Sequence, residues 1–313
     1  MTKSTRIILI TAGVLVGLGL IIAGVALGIN KIKHNIFGFS NTSSASSYEE
    51  KSVEIRDDFD NIDITEVSSD VNIVATSKSN AYVEYTDSDT YYHDITVKGN
   101  TLKIEYKNDT GTFHNIGFVL PFFGYGNDEE TFPVTLYLPE KEYGELNIAL
   151  VSGDTSIDPM SFEKISIESV SGEVNVKGCD LEDDFHASAV SGSVTADKLT
   201  ADDVNISTTS GTITLSDTTA KDTDINTVSG DIKLNSFSAS SVDIDTTSGS
   251  ITLDAFESKD TDISTISGDI SGTLKGDYNV SFDTVSGDSD IAKSVSDGYR
   301  FEVDTTSGDL TLK

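Results

Sequence analysis

The chain has 313 residues, with 21 Lys and Arg against 52 Asp and Glu, a formal charge of −31 at neutral pH. So acidic a body lacks the basic footprint that nucleic acid requires and is repelled by anionic lipid headgroups; cationic peptides, cationic polymers and divalent cations are what its field attracts. Its one cysteine, Cys179, excludes an intramolecular disulfide and a cysteine metal cluster.

The first 48 residues carry no acidic group, only Lys3, Arg6, Lys31 and Lys33. Between them Ile7–Ile29 is uncharged and apolar over 23 residues. As a helix it spans roughly 34 Å, enough to cross a bilayer core and longer than the apolar core of a cleaved signal. Residues 1–33 are therefore expected to form a single-pass anchor, with the body of the protein outside the cell. Gly13 with Gly17 and Gly24 with Gly28 make two small-xxx-small pairs, which can support helix association. Residues 34–52 include the polar tract SNTSSASS and read as a flexible linker.

From residue 53 onwards no helical period is visible, and apolar residues alternate with polar ones as in half-buried strands. Ser-Gly recurs at Ser152, Ser171, Ser191, Ser210, Ser229, Ser248, Ser267, Ser286 and Ser307, at spacings of 19 to 21 residues. A fixed period of this length marks a solenoid, in which each unit buries its apolar face on its neighbours. Six and four residues before each Ser, and three and five after, the columns are mostly Ile, Val, Leu and Phe. Each unit should thus hold two short strands flanking a Ser-Gly corner. A column of Thr208, Thr227, Thr246, Thr265, Thr284 and Thr305 shares the inward parity and could bond from rung to rung. Cys179 falls in a column with Met160, Leu199, Phe237 and Phe256 and reads as a small buried hydrophobe. A degenerate unit, Ile62, Ile64, Ser68, Ser69, Val71 and Ile73, has Ser69 in place of the glycine. The fold class is all-β: a β-solenoid of ~19-residue Ser-Gly repeats over 53–313, with irregular rungs at 53–144 and regular ones at 145–313.

The order of segments carries a resemblance. After the apolar anchor come DDFDNIDITEVSSDVNIVA, VKGNTLKIEY and VTLYLPEKEYGELNIALVSGD, then the Ser-Gly-Asp ladder. This resembles the bacterial adhesin-type β-strand-repeat family that includes the LiaG-like envelope proteins. The resemblance covers nearly the whole chain. It implies a β-solenoid on the cell surface, an association with envelope stress, and no catalytic residues or cofactor.

Solenoids include glycan-cleaving enzymes, which need paired carboxylates or a base held in a cleft. Here the histidines (His34, His93, His114, His186) share no spacing, and Asp183-Asp184 and Asp202-Asp203 would point to opposite strand faces. No catalytic residue is nominated. Two after the Ser, the column holds Asp231, Asp269, Asp288 and Asp309, which could chelate Ca²⁺ or could serve as turn chemistry. Residues 113–125, FHNIGFVLPFFGY, crowd Phe118, Phe122, Phe123 and Tyr125 into a glycine-bearing insertion. Such aromatics mark contact with a partner, or a cap over the solenoid's end. The final rung, with Leu310 and Leu312, has no capping element after it in sequence and is expected to form an open edge, a docking place for a partner strand or a second copy. The function expected is a non-enzymatic envelope interaction protein, meeting an envelope protein or wall polymer. An accessory sensor working through a membrane partner is the first alternative, and a glycan-active enzyme the second.

Overall fold

A computed structural model of the chain describes residues 47–89, 91–108 and 132–313. The expected membrane helix lies outside the described residues. Among the described residues no helix is long and apolar enough to cross a membrane.

The described chain is all-β, a solenoid of about nine turns. Two long ladders of strands face one another, and each coil contributes one strand to each ladder. The amino-terminal elements are β1 (Tyr48–Glu54), β2 (Asn61–Glu66), β3 (Val71–Thr76), β4 (Tyr82–Ser88), β5 (Tyr91–Lys98), β6 (Thr101–Asn108), β7 (Val134–Pro139), β8 (Glu142–Ser152) and β9 (Thr155–Ile157). From β8 onwards the coils stack in parallel and in register, so that Ser152, Ser171, Ser191, Ser210, Ser229, Ser248 and Ser267 lie one above another. A third, minimal ladder of single bridges joins Asp180, Thr200, Thr219 and Ser238.

The period-2 columns form the core. Ile165, Ile167, Val204, Ile206, Val242 and Ile244 from one ladder meet Val174, Val194, Ile213 and Ile232 from the other, all buried. Phe162, Phe185, Phe237, Phe256 and Phe301 are buried with them, Phe237 stacked on Phe256 at 5.8 Å. Each such side chain contributes about 1.5–3 kcal/mol by leaving water. Cys179 is buried as expected, its thiol pushed up to about 11 by that burial. Rung-to-rung bonding in the threonine column is seen at one step, Thr208 to Thr227 at 3.0 Å. The buried hydroxyls of Thr246, Thr265 and Thr305 find no hydrogen-bond partner among the described residues.

The Ser-Gly corner needs glycine chiefly because of how tightly the coils stack. A Cβ on Gly172, Gly211, Gly230 or Gly249 would sit 2.0 Å from the carbonyl oxygen of the corner glycine below it. Gly153 points the same way, at Ser69, so Ser69 itself points at the β6–β7 coil. The sequence between β6 and β7 has no Ser-Gly step.

A second corner, seven residues after each Ser, is left-handed: Gly178 at φ 60°, then Lys198, Asp217, Ser236 and Ala255 at 48° to 56°. For a residue with a Cβ this conformation costs about 1–2 kcal/mol. Ala255→Gly is expected to raise stability by about 0.5–1 kcal/mol in urea melts, part of the relief being lost to unfolded-chain entropy.

The coils do not stack in sequence order at either end. At the amino-terminal end β2 pairs with both β6 and β8, and β3 with both β7 and β9, so the first coil is the second in space. β5 then runs antiparallel to β6 and β4 antiparallel to β7, so these two strands are reversed, and β1 pairs antiparallel to β4 at the edge.

At the other end Tyr299–Ser307 pairs with Ile251–Ser267 on one side and Tyr278–Ser286 on the other. Leu310–Leu312 likewise lies between Ile270–Leu274 and Ser289–Ile291. The expectation of an open edge at Leu310 and Leu312 is therefore corrected: the last coil in sequence is inserted beneath the one before it, and the outermost coil is that of Ser286. Composition gives the reason. The Ser307 coil has a complete apolar set, Phe301, Val303, Leu310 and Leu312, whereas the Ser286 coil has Ser289 in a core column. Arg300 also reaches Asp260 at 2.6 Å and Asp262 at 3.1 Å, neutralising an acidic step that Asn279 and Ser281 could not. Part of the outer edge is covered by the returning chain, where Val295 N–H donates to Tyr278 O and Val280 N–H to Ser294 Oγ.

Candidate functional site

The aspartates singled out as Ca²⁺ candidates turn out to stitch the corners together. Ser250 N–H donates to Asp231 Oδ1 at 3.0 Å, Asp309 N–H to Asp269 Oδ1 at 3.0 Å, and Asp288 N–H to Asp309 Oδ1 at 2.8 Å. Asp70 and Asp154 do the same one coil onward. The carboxylates of Asp231, Asp269 and Asp309 thus accept the backbone N–H of the equivalent position in the adjoining coil, filling a gap in the ladder where the chain turns, and Asp288 takes part through its own N–H. Among the described residues no group of three or more His, Cys, Asp or Glu is arranged to hold a metal ion. Asp231→Ala is expected to cost about 1 kcal/mol in thermal or urea melts, and Asp231→Asn, which keeps Oδ1, close to nothing.

Phe118, Phe122, Phe123 and Tyr125 lie outside the described residues. The ends of their segment are placed, however. The described chain ends before it at β6 and resumes after it just ahead of β7, strands that pair with β2 and β3, and Phe132 packs on Tyr48 with ring centroids 5.1 Å apart.

The same end of the rod holds the most unusual chemistry among the described residues. His93, on β5, is buried between two carboxylates: Nε2 is 2.9 Å from Glu66 Oε1 on β2, and Nδ1 is 2.8 Å from Asp87 Oδ1 on β4. Asp87 Oδ1 also accepts the backbone N–H of His93, and its Oδ2 meets Lys51 Nζ of β1 at 3.0 Å. Glu66 is fully buried. Tyr85, Tyr91 and Tyr106 surround the imidazole edge-on, with centroids 5.1 to 6.2 Å away. Burial opposes the charged imidazolium, but the hydrogen bonds and charges of Glu66 and Asp87 outweigh it and raise its pKa.

Reading the histidines for a common spacing misses this cluster, because its members come from three strands. One signal was available. Two residues before Ser68, Glu66 occupies the inward column that carries threonine in later coils, and an acid on a core-facing position demands a buried partner.

A family model for the Toastrack DUF4097 domain matches residues 59–183 and again 180–313. The chain belongs to the Toastrack DUF4097 family. The two matched lengths meet where the ladders run on unbroken, so both fall within one continuous Toastrack stack. Among solved structures, a "putative lipid binding protein" from Parabacteroides distasonis is 18% identical, over 85% of this chain and 96% of that one, with a TM-score of 0.47. A "putative adhesin" from the same organism is 14% identical over 85% and 97%, and one from Parabacteroides merdae 13% over 85% and 96%, each with a TM-score of 0.49. No curated protein matches the chain.

Proposed function

We propose that this Toastrack protein is a non-enzymatic, membrane-anchored interaction protein of the cell envelope, a rigid acidic rod whose contact element is the aromatic insertion. Residues 7–29 serve as the anchor and the rod stands outside the cell. The observation that carries the reading is the contact of Tyr48 with Phe132. Tyr48 is where the chain arrives from the anchor and linker, and Phe132 is where the insertion comes back. With the anchor at residues 7–29, the contact at Phe132 supports a membrane-facing role for the insertion that carries Phe118, Phe122, Phe123 and Tyr125. Such a role supports a partner in the same membrane, and with it the accessory-sensor reading, over a partner on a distant surface.

Photo-crosslinking in cells from a probe at position 122, with a second probe at the exposed Val285 of the far end, tests this. A dominant membrane-protein adduct from 122 alone is the expected result. Adducts to wall polymer or neighbouring cells would favour adhesion instead, and adducts only from 285 would overturn the proposed contact element. Turnover on purified wall polymers would restore the enzyme reading.

A further inference from the structure

We propose that a proton on His93 is a structural ligand that clasps β4 and β5 onto the first coil, so that the amino-terminal end of the rod loosens as pH rises. The two contacts differ in kind. Nδ1 is hydrogen-bonded to Asp87 at 2.8 Å. Nε2 lies 2.9 Å from Glu66 Oε1 as an ion-pair contact without hydrogen-bond alignment, both Glu66 oxygens being buried without a hydrogen-bond partner among the described residues. A neutral imidazole with its N–H on Nδ1 would turn a lone pair toward Glu66, and only the doubly protonated ring meets both carboxylates with positive charge. Without that proton a lone pair meets a carboxylate oxygen inside the protein, where water cannot screen the repulsion.

The groups facing the ring come from every strand packed on it: Glu66 of β2, Asp87 and Tyr85 of β4, Tyr91 of β5 and Tyr106 of β6. Lys51 of β1 acts through Asp87 and is itself 3.3 Å from Glu49. Losing the His93 proton removes the one positive group within reach of Glu66 and leaves Asp87 with Lys51 alone. The mechanical consequence follows from topology. β5 pairs with β6 alone among the described strands, and β4 reaches β7 over only three residue pairs, Tyr82–Glu84. β5 is held to β6 by an eight-pair ladder, and the contact of His93 with Glu66 adds a side-chain tie from β5 across to β2. Because the folded His93 pKa is raised, the clasp is complete below the unfolded histidine value of about 6.5 and is lost as pH climbs through the folded one. This holds wherever the rod is anchored.

Hydrogen exchange on the full chain across pH 5.5 to about 9, rescaled for base catalysis, reads the clasp directly. Amides of 82–98 are expected to exchange at least about tenfold faster on the high-pH side, while 203–235 stays protected. Glu66→Gln should abolish that pH dependence, because its amide N–H can donate to an unprotonated Nε2 while Nδ1–H still serves Asp87. His93→Gln, with no titrating proton, should show one level of protection at every pH. Flat protection of 82–98 in the unmodified chain, or an unchanged transition in Glu66→Gln, would overturn the proposal.

Discussion

Replacing Gly230 by alanine is expected to destabilise the rod by at least about 3 kcal/mol, whereas the same change at Gly99 should cost about 1 kcal/mol. The two glycines separate two reasons for having no side chain. Gly99 is left-handed, φ +64°, with nothing within 4 Å of an added Cβ, so alanine there meets only the conformational penalty. Gly230 lies outside the left-handed region, yet its Cβ would sit 2.0 Å from Gly211 O and 2.9 Å from Gly211 C. Both obstacles are backbone, held in register by the strands on either side, and neither can swing away as a side-chain tip can. Relief requires prising two coils apart by about an ångström at a spacing near 4.8 Å, which strains the ladders on both sides of the corner. Urea denaturation of the two variants against the parent decides the matter. Equal losses at both positions would mean that dihedral freedom, and not coil spacing, selects glycine at the corner.

The Ser-Gly period and the four apolar columns made the solenoid legible before any coordinates, since a 19-residue repeat with period-2 strands leaves few other ways to bury Ile206, Ile213 and Leu215 together. What the sequence hid was coil order. Every coil offers the same columns to its neighbour, so the pattern alone cannot tell which coil sits on which. The deciding differences are single residues: Ser289 in a core column, Arg300 beside Asp260 and Asp262, and Phe301 against Phe256 at 6.3 Å. The corner aspartates were noticed, but their role as acceptors for the next coil depends on coordinates that a spacing does not supply. The histidine cluster was hidden for a related reason. Glu66, Asp87 and His93 meet only because the chain reverses direction at β4 and β5, a step that lies outside the repeat.

Coil order also makes the carboxyl-terminal end sensitive in a particular way. Deleting residues 298–313 is expected to release two coils, not one. The deletion removes Tyr299–Ser307 and Leu310–Leu312, which are the only ladder partners of Tyr278–Ser286 and Ser289–Ile291 among the described strands. Tyr278, buried against Phe301 at 5.9 Å, would lose that packing, and the hydroxyl that accepts Ser258 N–H would not hold the released coil by itself. Amides of 278–291 should then exchange at the rate of an unfolded chain, and the Ser267 coil should become the new end. Stacking in sequence order predicts the opposite, with 278–291 resting undisturbed on the Ser267 coil. At the other end β2–β3 is likewise covered by β6–β7, but β1 remains as an edge strand paired only with β4. At the carboxyl-terminal end the last coil in sequence is sealed inside the stack, and the outermost coil is tied down at both of its ends. A solenoid that ended in sequence order would fray residue by residue from its last strand. Here fraying must first detach a closed loop, so this end should open cooperatively, as one step in exchange.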